Sequence, residues 1–164
     1  MKLIPILLVA MLLVPATVLA DRKVAAPVPA PAFHLPARSG VVDSDSLRGK
    51  VVLVDFWASW CGPCRRSFPW MSALHAKYAA RGLQIVAINL DKQRSLADEF
   101  LVSYPAAFTV AFDPAGKSAE AFKVAAMPTS ILISADGRIL GRHIGFEPKQ
   151  AAEFEKTIEE ALPR

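Results

Sequence analysis

The chain has 164 residues, of which 53% are hydrophobic and 21% charged, with a formal net charge of +4. Residues 1–20 hold 16 of the apolar side chains, leaving the other 144 about 49% apolar, ordinary for a single domain. Such a composition excludes a disordered chain, a multi-pass membrane protein and, with only two cysteines, a disulfide-dense mini-protein, while the scattered basic residues give no case for nucleic acid.

Lys2 precedes an apolar run from Leu3 to Ala20, broken by Pro5 and Pro15 and ending in Val18-Leu19-Ala20 before Asp21-Arg22-Lys23. A basic residue, a short apolar stretch and a small-residue exit mark residues 1–20 as a signal peptide. The alternative is an uncleaved anchor over residues 3–20, a length that can just span a bilayer. Either reading puts the rest of the chain in the periplasm or another extracytoplasmic space. Residues 21–32, with Pro27, Pro29 and Pro31 among alanines, read as an extended linker. The domain is expected over 33–164.

Phe33–Leu35 and Val41–Asp43 flank Ser39-Gly40 and predict a small hairpin. The apolar run Val51–Trp57 suits a central strand buried on both faces. From Pro63 to Ala80, Phe68, Met71, Leu74 and Tyr78 recur at helical spacing, and Arg81-Gly82 ends the helix. A second apolar strand is expected at Leu83–Leu90, then a helix through Leu96, Phe100 and Leu101 that stops before Pro105. Phe108–Phe112 predicts a short strand, and 118–122 a helical turn. Ile131–Ile133 and Arg138–His143 alternate around Ala135-Asp136-Gly137, an antiparallel hairpin. Pro148 opens a final amphipathic helix through Ala151, Phe154 and Ile158. The order describes an α/β domain: a mixed central sheet with helices on both faces.

Cys61 and Cys64, in Trp60-Cys61-Gly62-Pro63-Cys64, stand where the central strand hands over to the long helix. The helix N-terminus offers free N–H groups and a dipole that favour a thiolate at Cys61. Cys64 follows one turn later, so the sulfurs can meet in a small ring. A purely structural disulfide is one competing reading, although so short a ring removes little unfolded-state entropy. Zinc is the other, but a closed site needs four ligands and His34, His75 and His143 are not paired at ligand spacing. Those histidines are read as surface or packing residues. No metal or cofactor is expected.

Val54-Asp55-Phe56-Trp57-Ala58-Ser59-Trp60-Cys61-Gly62-Pro63-Cys64 closely resembles the active-site stretch of thioredoxins. Leu47–Lys50, Pro69, Met127-Pro128-Thr129, Asp113–Gly116 and Asp136-Gly137 extend the likeness to the TlpA/ResA-like exported thiol-disulfide oxidoreductases. The resemblance implies a thioredoxin fold with an N-terminal β-hairpin and an insertion near 92–122. It implies Cys61 as nucleophile, Cys64 as resolving thiol and Asp55 as proton acceptor. Trp60, Gly62, Pro63, Met127, Thr129 and Pro128, as a cis-proline, would contact a substrate chain. Pro69 would kink the long helix without ending it.

Two positions depart from the pattern. Ser67 stands where ResA-like members commonly carry an acidic residue. Asp55 matches the buried aspartate of thioredoxins, yet 83–90 lacks the lysine that usually accompanies it. The resulting expectation is a monomeric reductase of protein disulfides, kept reduced by a membrane electron donor. A dithiol oxidase and a copper-handling protein are the alternatives.

Overall fold

The computed structural model describes residues 28–163; the signal or anchor segment and residues 21–27 of the linker lie outside them. Two strands run through the middle of a five-stranded sheet: β3 (Val51–Trp57) and β4 (Leu83–Asn89). All seven residues of β3 are buried, which explains its unbroken apolar sequence. β3 and β4 are parallel, and β5 (Thr109–Phe112) adds in parallel at the outer edge of β4. On the other side β6 (Thr129–Ile133) and β7 (Ile139–Ile144) pair antiparallel, giving the order β5-β4-β3-β6-β7. A separate hairpin joins β1 (His34–Pro36) to β2 (Val41–Asp43).

Alternation along the strands divides the core in two. Leu53 and Trp57 face α1 (Cys64–Tyr78), α2 (Arg94–Ser103) and α4 (Pro148–Ala161), with Phe68, Met71, Phe100, Phe154 and Ile158 in the same cluster. Val52, Val54 and Phe56 face the β1–β2 hairpin and Phe122, at the end of α3 (Lys117–Ala121). The mixed sheet thus has helical cover on both faces, as expected. Stretch 92–122, expected as an insertion, contains α2, β5 and α3, and so includes the edge strand of the sheet.

Helix α1 passes through Pro69 without a break. A 3-10 turn over Ala79–Arg81 follows it, and Gly82 at φ 95° turns the chain into β4, a left-handed geometry that a side chain would strain. Residues 28–32, within the stretch read as a spacer, run beside the β6–β7 turn. Ala30 N–H donates to Gly137 O (2.9 Å), and Ile139 N–H donates to Val28 O (2.8 Å).

Candidate active site

Strand β3 ends at Trp57, and six residues then lead into α1. Cys61 and Cys64 form a disulfide across this junction, with Cα atoms 5.3 Å apart. Cys64 is completely buried, whereas Cys61 retains 5% of its surface. The Cys64 N–H, at the start of the helix, is shared between Cys61 O (3.2 Å) and Cys61 Sγ (3.3 Å). In the reduced protein the same donor and the helix dipole favour a Cys61 thiolate.

The loop before the cysteines is tied to the end of β4. Asp91, buried, accepts from Ser59 N–H (2.8 Å), from Ser59 Oγ–H (2.9 Å) and from the Asn89 side-chain amide (2.7 Å). Beneath the loop Trp57, Phe68 and Phe100 make an aromatic floor with centroid spacings of 4.7 to 4.9 Å. Such pairs add about 0.5–1.5 kcal/mol each beyond burial. Fixed from below and at one side, the loop leaves the Trp60 ring 69% exposed. A groove beside it is lined by Ser59, Trp60, Arg65, Leu96, Phe100 and Tyr104, so α2 forms its far wall.

The Met127–Pro128 peptide is cis. Phe56 pairs with Thr129, so the N-terminal end of β6 abuts the C-terminal end of β3, where the cysteine loop begins. Thr129 Oγ–H donates to Ala126 O (2.6 Å) and Gly145 N–H donates to Pro128 O (2.8 Å), pinning this bend from both sides. Met127 is half-buried against the core cluster that includes both cysteines. Gly62 is exposed, Pro63 is half-buried, and Arg65 and Arg66 are exposed on α1.

Asp55 is completely buried on the face of β3 that carries Leu53 and Trp57. Ser130 Oγ–H donates to its Oδ1 at 2.6 Å, and Oδ2 has no partner among the described residues. Burial pushes the Asp55 carboxyl up to about 7, only partly opposed by the Ser130 hydrogen bond. Ser130 was not singled out in the sequence, because it is 75 residues from Asp55 and only the strand register brings them together. Asp91 was missed because the Ser59 it holds is 32 residues away, and Asn89 because its role is to support Asp91.

A buried acid raised in this way makes the fold less stable as pH increases. Between about pH 4 and 7 the folded protein binds more protons than the unfolded chain, so stability falls with rising pH and reaches its floor above 7. The loss is at most ~4 kcal/mol. Asp55→Asn is therefore expected to be more stable than the parent at pH 8, with the gap closing towards pH 4. Urea melts of the oxidised proteins at the two pH values check this.

Residues 23–162 match the redoxin family model. Among curated proteins, the chain is 34% identical over 112 residues to a thiol-disulfide oxidoreductase ResA of Bacillus cereus, covering 68% of this chain and 65% of that one. It is 37% identical over 115 residues to the ResA of Oceanobacillus iheyensis, covering 67% and 60%. The matched region thus spans slightly less than two thirds of these relatives. Among solved structures, a Chlorobium tepidum protein provisionally named thiol:disulfide interchange protein DsbE superposes with a TM-score of 0.81 at 50% identity, covering 82% of this chain and 96% of its own. The strand order, the cysteine pair at the start of α1 and the family match agree: the chain belongs to the redoxin family and has a thioredoxin fold.

Proposed function

We propose that this protein is an exported thiol-disulfide oxidoreductase that reduces protein disulfides. The observation that carries the reading is the Cys61–Cys64 disulfide at the start of α1, with Cys61 the more accessible sulfur and a backbone N–H aimed at it. In the reduced protein the Cys61 thiolate attacks one sulfur of a substrate disulfide, and the other substrate sulfur leaves as a thiolate. Cys64 then gives its proton to the Asp55 carboxylate and attacks Cys61 Sγ. The substrate's second thiolate leaves, and two electrons have passed from the dithiol to the substrate. Trp60, Gly62 and Pro63 form one side of the substrate contact, and Met127, Pro128 and Thr129 the other, where an extended chain can pair with the backbone.

The direction of electron flow follows from the charges around Cys61. A strongly oxidising couple needs its reduced form specially stabilised. Gly62 and Pro63 supply neither a cation nor a side-chain donor, and Arg65 and Arg66 face solvent, where salt screens them. A reductant outside the cytosol is recharged by a membrane electron donor, and the domain works as a monomer. No helix among the described residues is long and apolar enough to cross a membrane. Residues 1–20 serve as the export signal, with 3–20 as an anchor if they are retained.

The couple is expected near the thioredoxin value of about −270 mV, measured by equilibration with glutathione buffers. A value above about −160 mV would favour the oxidase reading. Cys64→Ser should accumulate mixed disulfides with substrate proteins, visible on non-reducing gels; trapping by Cys61→Ser alone would reverse the two roles. Intact-mass analysis of protein from its native envelope should find a chain beginning at Asp21, the 144 residues left after the first 20. Recovery of the full-length chain in the membrane fraction would replace the signal with the anchor.

A further inference from the structure

Asp55 shares its face of the sheet with a second buried ionisable side chain. The register pairs Asp55 with Ser130 and Ser130 with His143, so the three lie in one row across β3, β6 and β7. Directly opposed antiparallel residues project to the same face, with Cβ atoms about 4.5–5.5 Å apart. The far side of the row is closed by α4, whose Phe154 ring stacks on the His143 imidazole at 5.8 Å. The buried carboxylates Asp91 and Asp113 have all their oxygens hydrogen-bonded. Asp55 and His143 do not: Asp55 Oδ2 and His143 Nε2 are buried without a partner among the described residues. Ser130 is the residue between them in the register, and its hydroxyl bonds Asp55 and not the imidazole.

We infer that His143 is a positioning residue for the proton removed from Cys64, which leaves the core along the row Asp55–Ser130–His143. The inference rests on the reading of Asp55 as the proton acceptor. When Cys64 attacks, its S–H electron pair forms the Cys61–Cys64 bond, its proton goes to the Asp55 carboxylate, and the substrate thiolate carries away the electrons of the broken mixed disulfide. Asp55 is now a donor. The Ser130 hydroxyl donates to ionised Asp55 in this structure; to pass the proton on, its side chain has to swing towards His143, so as to accept from the neutral acid and donate to the unpartnered imidazole nitrogen. His143 sits on the edge strand with 8% of its surface exposed and releases the proton to water.

Few other titratable groups among the described residues face the row. The sheet-facing residues of α4 are Ala151, Phe154 and Ile158, none of which titrates. From α1 the ionisable groups on this face are Cys64, His75 and Tyr78; His75 packs edge-on against Phe108, just before β5 at the opposite edge of the sheet from β7, and the Tyr78 hydroxyl is bonded to Glu155, itself paired with Lys77. Arg142, beside His143 on β7, donates to Phe122 O on the other face of the sheet. On β4 the row continues into Ala87. Burial lowers the pKa of His143, so the imidazole is neutral and ready to accept near neutral pH.

The test separates attack from resolution. Reduced protein is mixed with glutathione disulfide and followed by tryptophan fluorescence at pH 7. The slope at low glutathione disulfide reports attack by Cys61, and the plateau at high concentration reports resolution by Cys64. His143→Gln, which keeps size and polarity but does not titrate at this pH, is expected to lower the plateau about tenfold and leave the slope unchanged. Added imidazole should restore the plateau of His143→Ala towards the parent value, a rescue that loss of packing alone would not show. If His143→Gln matches the parent while Asp55→Asn lowers the plateau, the row is refuted and the Asp55 reading stands. A plateau unchanged in Asp55→Asn overturns that reading itself, and the row with it.

Discussion

The antiparallel register between β3 and β6 is the constraint on which the rest of the site depends. It sets Phe56 against Thr129, which brings the Met127–Pro128 bend to the end of the sheet where the cysteine loop emerges. One residue away, the same register sets Asp55 against Ser130. A slip by a single residue would turn every side chain of β6 to the opposite face, removing the hydroxyl from the carboxylate. Such a slip is opposed by the apolar pattern: Leu132 belongs to the helix-side cluster, while Ile131 and Ile133 belong to the hairpin side. The packing of two separate cores therefore fixes a polar contact that contributes little to either.

That contact has a clear energetic character. A carboxyl group with one hydrogen bond in an apolar setting is costly when ionised, and no cation among the described residues offsets it. Stability is lower than an apolar residue of similar size would allow, and the return is a group that changes charge near neutral pH. Asp91 shows the contrasting arrangement. Equally enclosed, it accepts three hydrogen bonds and holds Ser59. Two buried aspartates thus have different tasks, separated by the number of donors each receives.

Much of this was legible in the sequence. The run Val51–Trp57 announced a strand buried on both faces, and Pro148 announced the start of α4. Trp60-Cys61-Gly62-Pro63-Cys64 located the disulfide because its chemistry is local, contained within one helical turn. What was not legible is everything set by strand pairing. Ser130, His143 and the Asp91–Asn89 clamp look like ordinary polar residues until the register aligns them, and a one-dimensional pattern gives periodicity but no partner. The stretch 92–122 reads as an insertion in the linear order, yet β5 completes the sheet edge beside β4.

The path of residues 28–30 gives the molecule a polarity. They enter the domain beside the β6–β7 turn at Ser134–Arg138, at the opposite end of β6 from Thr129. At about 3.3 Å per residue, the length of β6 puts that entry point roughly 16 Å below the level of the cis-proline bend. Residues 28–30 therefore join the domain at the end of the sheet opposite the disulfide. A partner that reaches Cys61 therefore comes in at the end of the sheet away from residues 28–30, and the way the chain enters the domain leaves that approach clear.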